Sequence, residues 1–150
     1  MEISAEQIKA LREETGVSVM KCKEALVEAN GDIDQARELL RIEGAKQASK
    51  KADRELNSGI VRSYVHANNT IGVMIKLACE TDYVARNEDF IALADDICLH
   101  ITAMSPETLE ELMEQPFVKN PEINMEKRIE EEVLKIGERI EVAEFVRFQF

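Results

Sequence analysis

Cysteine and histidine are the side chains best suited to act as nucleophile, base or metal ligand, and this 150-residue chain has few: Cys22, Cys79, Cys98, His66 and His100. A thiol nucleophile needs a base within hydrogen-bond reach. His66 falls in an alternating stretch and His100 in a helical one, far apart in sequence. Each cysteine lies on an apolar stripe, so core packing accounts better for the thiols than reactivity does. Their number is odd, no C-x-x-C spacing occurs and no histidine cluster stands nearby, which argues against a disulfide framework and a structural zinc site. Carboxylates adjoin at Asp95-Asp96 and run through Glu130-Glu131-Glu132, but neighbours on a helix do not face each other, so these are weak evidence for acid–base work. No P-loop, G-x-G-x-x-G, G-x-S-x-G or H-E-x-x-H is present. The expected activity is therefore binding, with no catalytic residue, no metal and no cofactor.

The charge balance narrows what is bound. Formal net charge is −11, and such a surface repels phosphate backbones, so direct nucleic-acid binding is disfavoured. Residues 1–57 carry 10 basic and 12 acidic side chains, whereas residues 58–150 carry 9 and 18. The one basic cluster, Lys46, Lys50, Lys51 and Arg54, reads as a solvated face or as a contact for an acidic partner. The charged start MEISAEQIKALREETG has no apolar signal-peptide core, and the longest apolar stretch, IGVMIKLAC, is interrupted by Lys76. A soluble, cytoplasmic protein with no membrane association is expected.

Three short helices are expected first. Ser4 and Gln7 make a capping box before Ile8 and Leu11, and Thr15-Gly16 ends that helix. Ser18 caps a second, with Val19, Cys22, Ala25, Leu26 and Ala29 at helical spacing. Asp32 caps a third, carrying Ile33, Ala36, Leu39 and Leu40 up to Gly44. A bundle over 1–45 follows, then a solvated helical linker over 46–57.

From Gly59 the apolar period becomes two. IVRSYVHA and IGVMIKLAC form a hairpin across NNT, with Ile71, Val73, Ile75, Leu77 and Cys79 on one face. Phe90, Ala94, Ile97, Cys98 and Ile101 return to helical spacing up to Ser105-Pro106, which start a short acidic helix. An irregular FVKN lies between Pro116 and Pro121. Met125, Ile129, Val133 and Ile136 mark a helix stopped by Gly137, and Val146, Phe148 and Phe150 alternate as in a final strand. The fold class expected is α+β, with the bundle followed by a 58–150 core of a three-stranded antiparallel sheet and helices on one face.

Between strand and helix stands ETDYVARNEDF, residues 80–90. Asp82 and Asn87 are good N-caps and Phe90 opens the next stripe, but a joint needs no exposed aromatic such as Tyr83. Three blocks together, LREETGVSVMKCKEALVEANGDIDQARELLRIEGA, CETDYVARNEDF and KIGERIEVAEFVRFQF, resemble the bacterial elongation factor Ts family in the right order across most of the chain.

That resemblance implies a ubiquitin-associated-like N-terminal bundle and a guanine-nucleotide exchange factor acting on elongation factor Tu. It implies that Thr81, Asp82, Tyr83 and Val84 form a wedge that enters the partner's nucleotide-binding domain and displaces magnesium and phosphate contacts. Further partner contacts are implied at Arg12, Val19, Met20, Ala85, Arg86, Asn87 and His100, with bundle packing the competing account of Val19 and a satisfied surface histidine that of His100. Tyr83 stands where the family usually has Phe, and only ITAMSPETLEELM separates His100 from EQPFV, so the chain resembles a shortened form. Short forms imply a possible homodimer built from open sheet surfaces or edges. The rival reading is a peptide- or ubiquitin-like-binding module with no exchange activity.

Overall fold

The computed structural model describes residues 2–150. In chain order they form α1 (Ala5–Thr15), α2 (Val19–Glu28), α3 (Ile33–Lys50), β1 (Ser58–Val65), β2 (Ile71–Cys79), α4 (Asp82–Ala85), α5 (Glu88–Met104) and α6 (Leu109–Glu114). There follow β3 (Pro116–Phe117), β4 (Asn120–Asn124), α7 (Met125–Ile136) and β5 (Glu141–Gln149).

The expected caps fix the first three helices. The Ser4 hydroxyl accepts from the Gln7 N–H at 3.2 Å while the Gln7 side chain accepts from the Ser4 N–H at 3.0 Å, and Ser18 and Asp32 accept from Lys21 and Gln35. Leu11, Cys22, Ala25, Leu26, Ala36 and Leu40 meet in a small core.

Two expectations change here. Val19 is 48% exposed, and the buried stripe of α2 begins at Cys22. The third helix runs through Gly44 to Lys50, so residues 46–50 continue that helix, and Ala48 packs against the main core. Gly44 lies instead at a helix crossing: a Cβ there would sit 3.1 Å from the Glu130 carbonyl oxygen of α7. Its missing side chain allows two helix backbones to approach. Leu134 of α7 belongs to the bundle's core, whereas Ile129 and Val133 face the main core.

β1, β2 and β5 form an antiparallel sheet in the order β1-β2-β5, with Tyr64 opposite Val73 and Met74 opposite Val146. Side chains alternate across a strand, so Val73, Ile75, Leu77 and Cys79 all face inward against Phe90, Leu93, Ile97 and Ile101 of α5. Each of the aliphatic and aromatic side chains among these, fully buried, contributes about 1.5–3 kcal/mol. The same alternation leaves Val61, Val65, Met74, Val146 and Phe148 exposed on the outer face. The Arg147 guanidinium reaches inward and donates to the last-turn carbonyls of α5, Ile101 at 3.1 Å and Thr102 at 3.0 Å.

The region after α5 also departs from expectation. Ser105, at φ 49°, ends α5, and the next helix starts three residues beyond Pro106 because the Thr108 hydroxyl caps it, accepting from the Glu111 N–H at 3.1 Å. Residues 116–124 form the β3-β4 hairpin where an irregular segment was expected.

Candidate functional site

The residues singled out for chemistry separate once folded. All three cysteines are buried, and burial raises each thiol's pKa, that of Cys98 to about 11. A nucleophile or metal ligand requires the thiolate, which these environments oppose. His66 is exposed, with Nδ1 3.1 Å from the Tyr64 hydroxyl. Asp95 accepts two bonds from Arg62, at 2.8 and 2.9 Å, while Asp96 accepts from Lys119 and Arg128. The two neighbouring carboxylates thus serve different partners. Among the described residues no group of three or more His, Cys, Asp or Glu is gathered as a metal would need, and no helix is long and apolar enough to cross a membrane.

The basic cluster is also divided. Lys51 is buried and donates to Gln47 at 3.0 Å, and Arg54 pairs with Glu80 at 3.4 Å, which leaves Lys46 and Lys50 exposed.

At the end of β2 the chain turns into α4, and here the exposed aromatic stands. Thr81 is the N-cap, its hydroxyl accepting from the Val84 N–H at 3.4 Å. Tyr83 follows in the first turn and is 79% exposed. Asp82 is exposed beside it and accepts from the Ser58 hydroxyl at 2.5 Å, which ties α4 to the start of β1. Val84 and Ala85 point the other way and are buried in the main core. The stretch therefore has two faces, Thr81, Asp82 and Tyr83 outward and Val84 and Ala85 inward. In this conformation Val84 and Ala85 therefore lie inside the fold, away from the surface that Tyr83 occupies.

Arg86 is exposed and closes α4. Asn87 is engaged as the N-cap of α5, its side chain accepting from the N–H groups of Asp89 at 2.8 Å and Phe90 at 3.4 Å. A run of α4, cap and α5 follows the end of β2 and presents a phenol, which supplies apolar area with few rotamers to freeze.

Behind the turn lies a residue that the sequence did not single out. Glu138, one residue after the Gly137 that ends α7, accepts from the N–H groups of Glu80 and Thr81, each at 3.0 Å, and from the Thr81 hydroxyl at 2.6 Å. Next to it the Arg139 N–H donates to the Glu80 carboxylate at 2.6 Å. The only signal in the sequence was position, since a residue just past a glycine helix stop can reach a neighbouring element.

His100 is the clearest correction. It is 0% exposed, so the surface reading does not hold and the ring lies inside the fold in this conformation. Nδ1 accepts from the Val118 N–H at 3.1 Å and Nε2 donates to the Gln115 side chain at 3.0 Å, which fixes a neutral imidazole holding β3 and the turn after it against α5. Burial lowers its pKa below the ordinary value, opposed in part by the Gln115 bond. Its place seven residues after Leu93 and three after Ile97, on the buried face of α5, was available as a signal. On the bundle, Arg12, Val19 and Met20 are all exposed, Met20 at 69%.

Comparison with known proteins adds a family. The family described as Elongation factor TS matches residues 80–150, the span from Glu80 to the end of β5. The chain is 40% identical to Elongation factor Ts of Fervidobacterium nodosum over 194 residues, covering 99% of this chain and 98% of that one. It is 40% identical over 191 residues to that of Thermosipho melanesiensis, covering 97% of each, and 38% over 193 to that of Thermodesulfovibrio yellowstonii, covering 99% and 96%. Because this chain has 150 residues, more than forty of the aligned positions in each case have no counterpart here. With near-complete coverage at this identity, the chain belongs to the elongation factor Ts family, in a shortened form.

Proposed function

We propose that the protein is a guanine-nucleotide exchange factor of translation elongation, which binds elongation factor Tu carrying GDP in the cytoplasm and promotes release of the nucleotide. The observation that carries this reading is Tyr83, a large aromatic left 79% exposed on a turn whose other side chains are buried, capped or hydrogen-bonded. In this reading Thr81, Asp82 and Tyr83 enter the partner's nucleotide-binding domain and displace magnesium and phosphate contacts, while Val84 and Ala85 brace the turn from within. Arg86 borders the same surface. Arg12, Val19 and Met20, in the 1–45 unit, supply a second contact, and 58–150 is the wedge-bearing unit joined to it through 46–57.

No bond is broken in such a mechanism. A factor that grips the nucleotide-free partner more tightly than the nucleotide-bound one weakens nucleotide binding by the same ratio. Each tenfold weakening takes about 1.4 kcal/mol of differential binding, and a central aromatic supplies about 2 kcal/mol or more when it fills a pocket.

The outer sheet face supports a homodimer. Val61, Val65, Met74, Val146 and Phe148 are exposed together on one strand-paired surface, with the Lys76–Glu144 ion pair on the same face, and an exposed group of apolar side chains rimmed by charge is the kind of surface that a partner covers. A second copy presenting the same side chains is the occupant that matches it, and sedimentation at working concentration should show a species of twice 17.0 kDa.

The test of exchange is stopped-flow release of fluorescent GDP from elongation factor Tu. The wild-type protein should accelerate release, with Tyr83→Ala and Asp82→Ala slower. No acceleration by wild type would refute the exchange reading, and an equally fast Tyr83→Ala would refute the wedge alone.

A further inference from the structure

The turn that carries Tyr83 cannot hold its own shape. α4 has four residues, and a single helical turn fixes several dihedrals for one hydrogen bond, so it is unstable unless held from outside. The local cap is weak, with the Val84 N–H 3.4 Å from the Thr81 hydroxyl. The stronger contacts come from across the molecule, where one carboxylate takes three donors from two consecutive residues.

We infer that Glu138 is a positioning residue for the wedge: through the Glu80 and Thr81 N–H groups and the Thr81 hydroxyl it fixes the orientation from which Tyr83 projects. The inference rests on the exchange reading for its purpose, though not for its geometry. Hydrogen bonds to an ionised acceptor are roughly twice as strong as neutral ones, and the Glu138 carboxylate uses both oxygens. Gly137, at φ 86°, turns the chain off the end of α7 and directs Glu138 back toward β2. The neighbouring bonds reciprocate: the Arg139 N–H meets the Glu80 carboxylate, and the Arg139 guanidinium reaches the Arg54 carbonyl at 2.6 Å. Thr81 is thus held by both of its donor groups while its oxygen still caps α4. Glu138 itself acts only through Glu80 and Thr81, because its hydrogen bonds are all to those two residues.

Preorganisation of this kind removes an ordering cost that binding would otherwise meet. It also makes a specific demand on mutational behaviour. A residue that acts through the wedge should have no effect once the wedge is gone, whereas a residue of general structural value should cost the same in either background.

Two measurements on the full chain decide the matter. The first needs no partner: amide hydrogen exchange of Glu80 and Thr81 in Glu138→Ala should rise by about tenfold, with the β2 amides at Ile75 and Leu77 and those of α5 unchanged. Unchanged rates at Glu80 and Thr81 would overturn the clasp, and a rise spread over β2 and α5 would show a merely structural residue. The second is GDP release from elongation factor Tu by Glu138→Ala, Glu138→Gln, Tyr83→Ala and the Tyr83→Ala, Glu138→Ala double variant. Glu138→Ala should slow release, Glu138→Gln, which keeps an acceptor for the two amides, should recover part of it, and the double variant should be no slower than Tyr83→Ala alone. A double variant slower by the product of the two single effects overturns the assignment. If wild type itself fails to speed release, the exchange reading falls, and the amide rates still decide whether Glu138 holds the turn.

Discussion

Tyr83 and His100 lie on either side of the same helix start, one in the turn before α5 and the other in its last third, and the family resemblance pointed to both. The fold treats them oppositely, leaving Tyr83 79% exposed and His100 0% exposed with both ring nitrogens engaged. Correspondence to a family motif places a residue along the chain but does not say which side of the surface it occupies. A binding site consists of a few outward side chains and a larger inward set that aims them. Val84, Ala85 and His100 are buried here and Asn87 is engaged as a helix cap, so in the proposed site they would belong to the second set.

The sharpest way to break that contrast is His100→Ala. Removing the ring takes the acceptor from the Val118 N–H and the donor from the Gln115 side-chain oxygen and opens a cavity, so stability should fall by about 3 kcal/mol in denaturant titration. Exchange per folded molecule should be retained. A stable His100→Ala with slowed exchange would place His100 on the binding side after all.

Tyr83→Ala is the mirror case and the next in size. Truncating an exposed side chain should change stability by less than about 0.5 kcal/mol. Affinity for elongation factor Tu should fall by about 2 kcal/mol, roughly thirtyfold, in a titration calorimetry or fluorescence measurement.

A smaller effect separates the two through pH. Burial holds the folded His100 pKa below its ordinary value of 6.5, so the unfolded chain takes up the proton first as pH falls. Stability should therefore be full above about 6.5 and decline below it, at up to about 1.4 kcal/mol per pH unit, until folded His100 also titrates. His100→Gln should lack that component, while Tyr83→Ala should retain it. The smallest expected change is Met20→Ala, which should leave stability within about 0.5 kcal/mol and weaken partner binding by about 1 kcal/mol, an ordinary contact away from the wedge.

Much of this fold was legible in the sequence because the signals were local. Ser4 with Gln7, Ser18, Asp32, Asn87 and Gly137 each mark a helix boundary through one side chain or one backbone conformation, and the alternation from Ile71 to Cys79 gives the inner sheet face directly. What escaped depended on a distant neighbour. Gly44 reads as a helix stop until the α7 backbone is seen beside it. β3 is two residues long and has no period to detect, and its position depends on His100 from α5. In the candidate site, Thr81, Asp82 and Tyr83 were visible as types and Glu138 was not, since a carboxylate fifty-seven residues away leaves no mark near Thr81.

The junction of α3 with α7 bears on avidity. Gly44 seats α3 on the α7 backbone and Leu134 enters the bundle's core, so the Met20 surface and the Tyr83 turn belong to one packed body. Two recognition surfaces joined by a flexible tether reach an effective concentration in the millimolar range for the second contact. Fixing their separation during folding removes the search that a tether would impose, and under the proposed exchange function a partner would meet them as a two-pronged ligand of set span. Gly44→Leu would splay the prongs without altering either one, and the affinity lost in that variant would measure how much of the grip resides in the spacing.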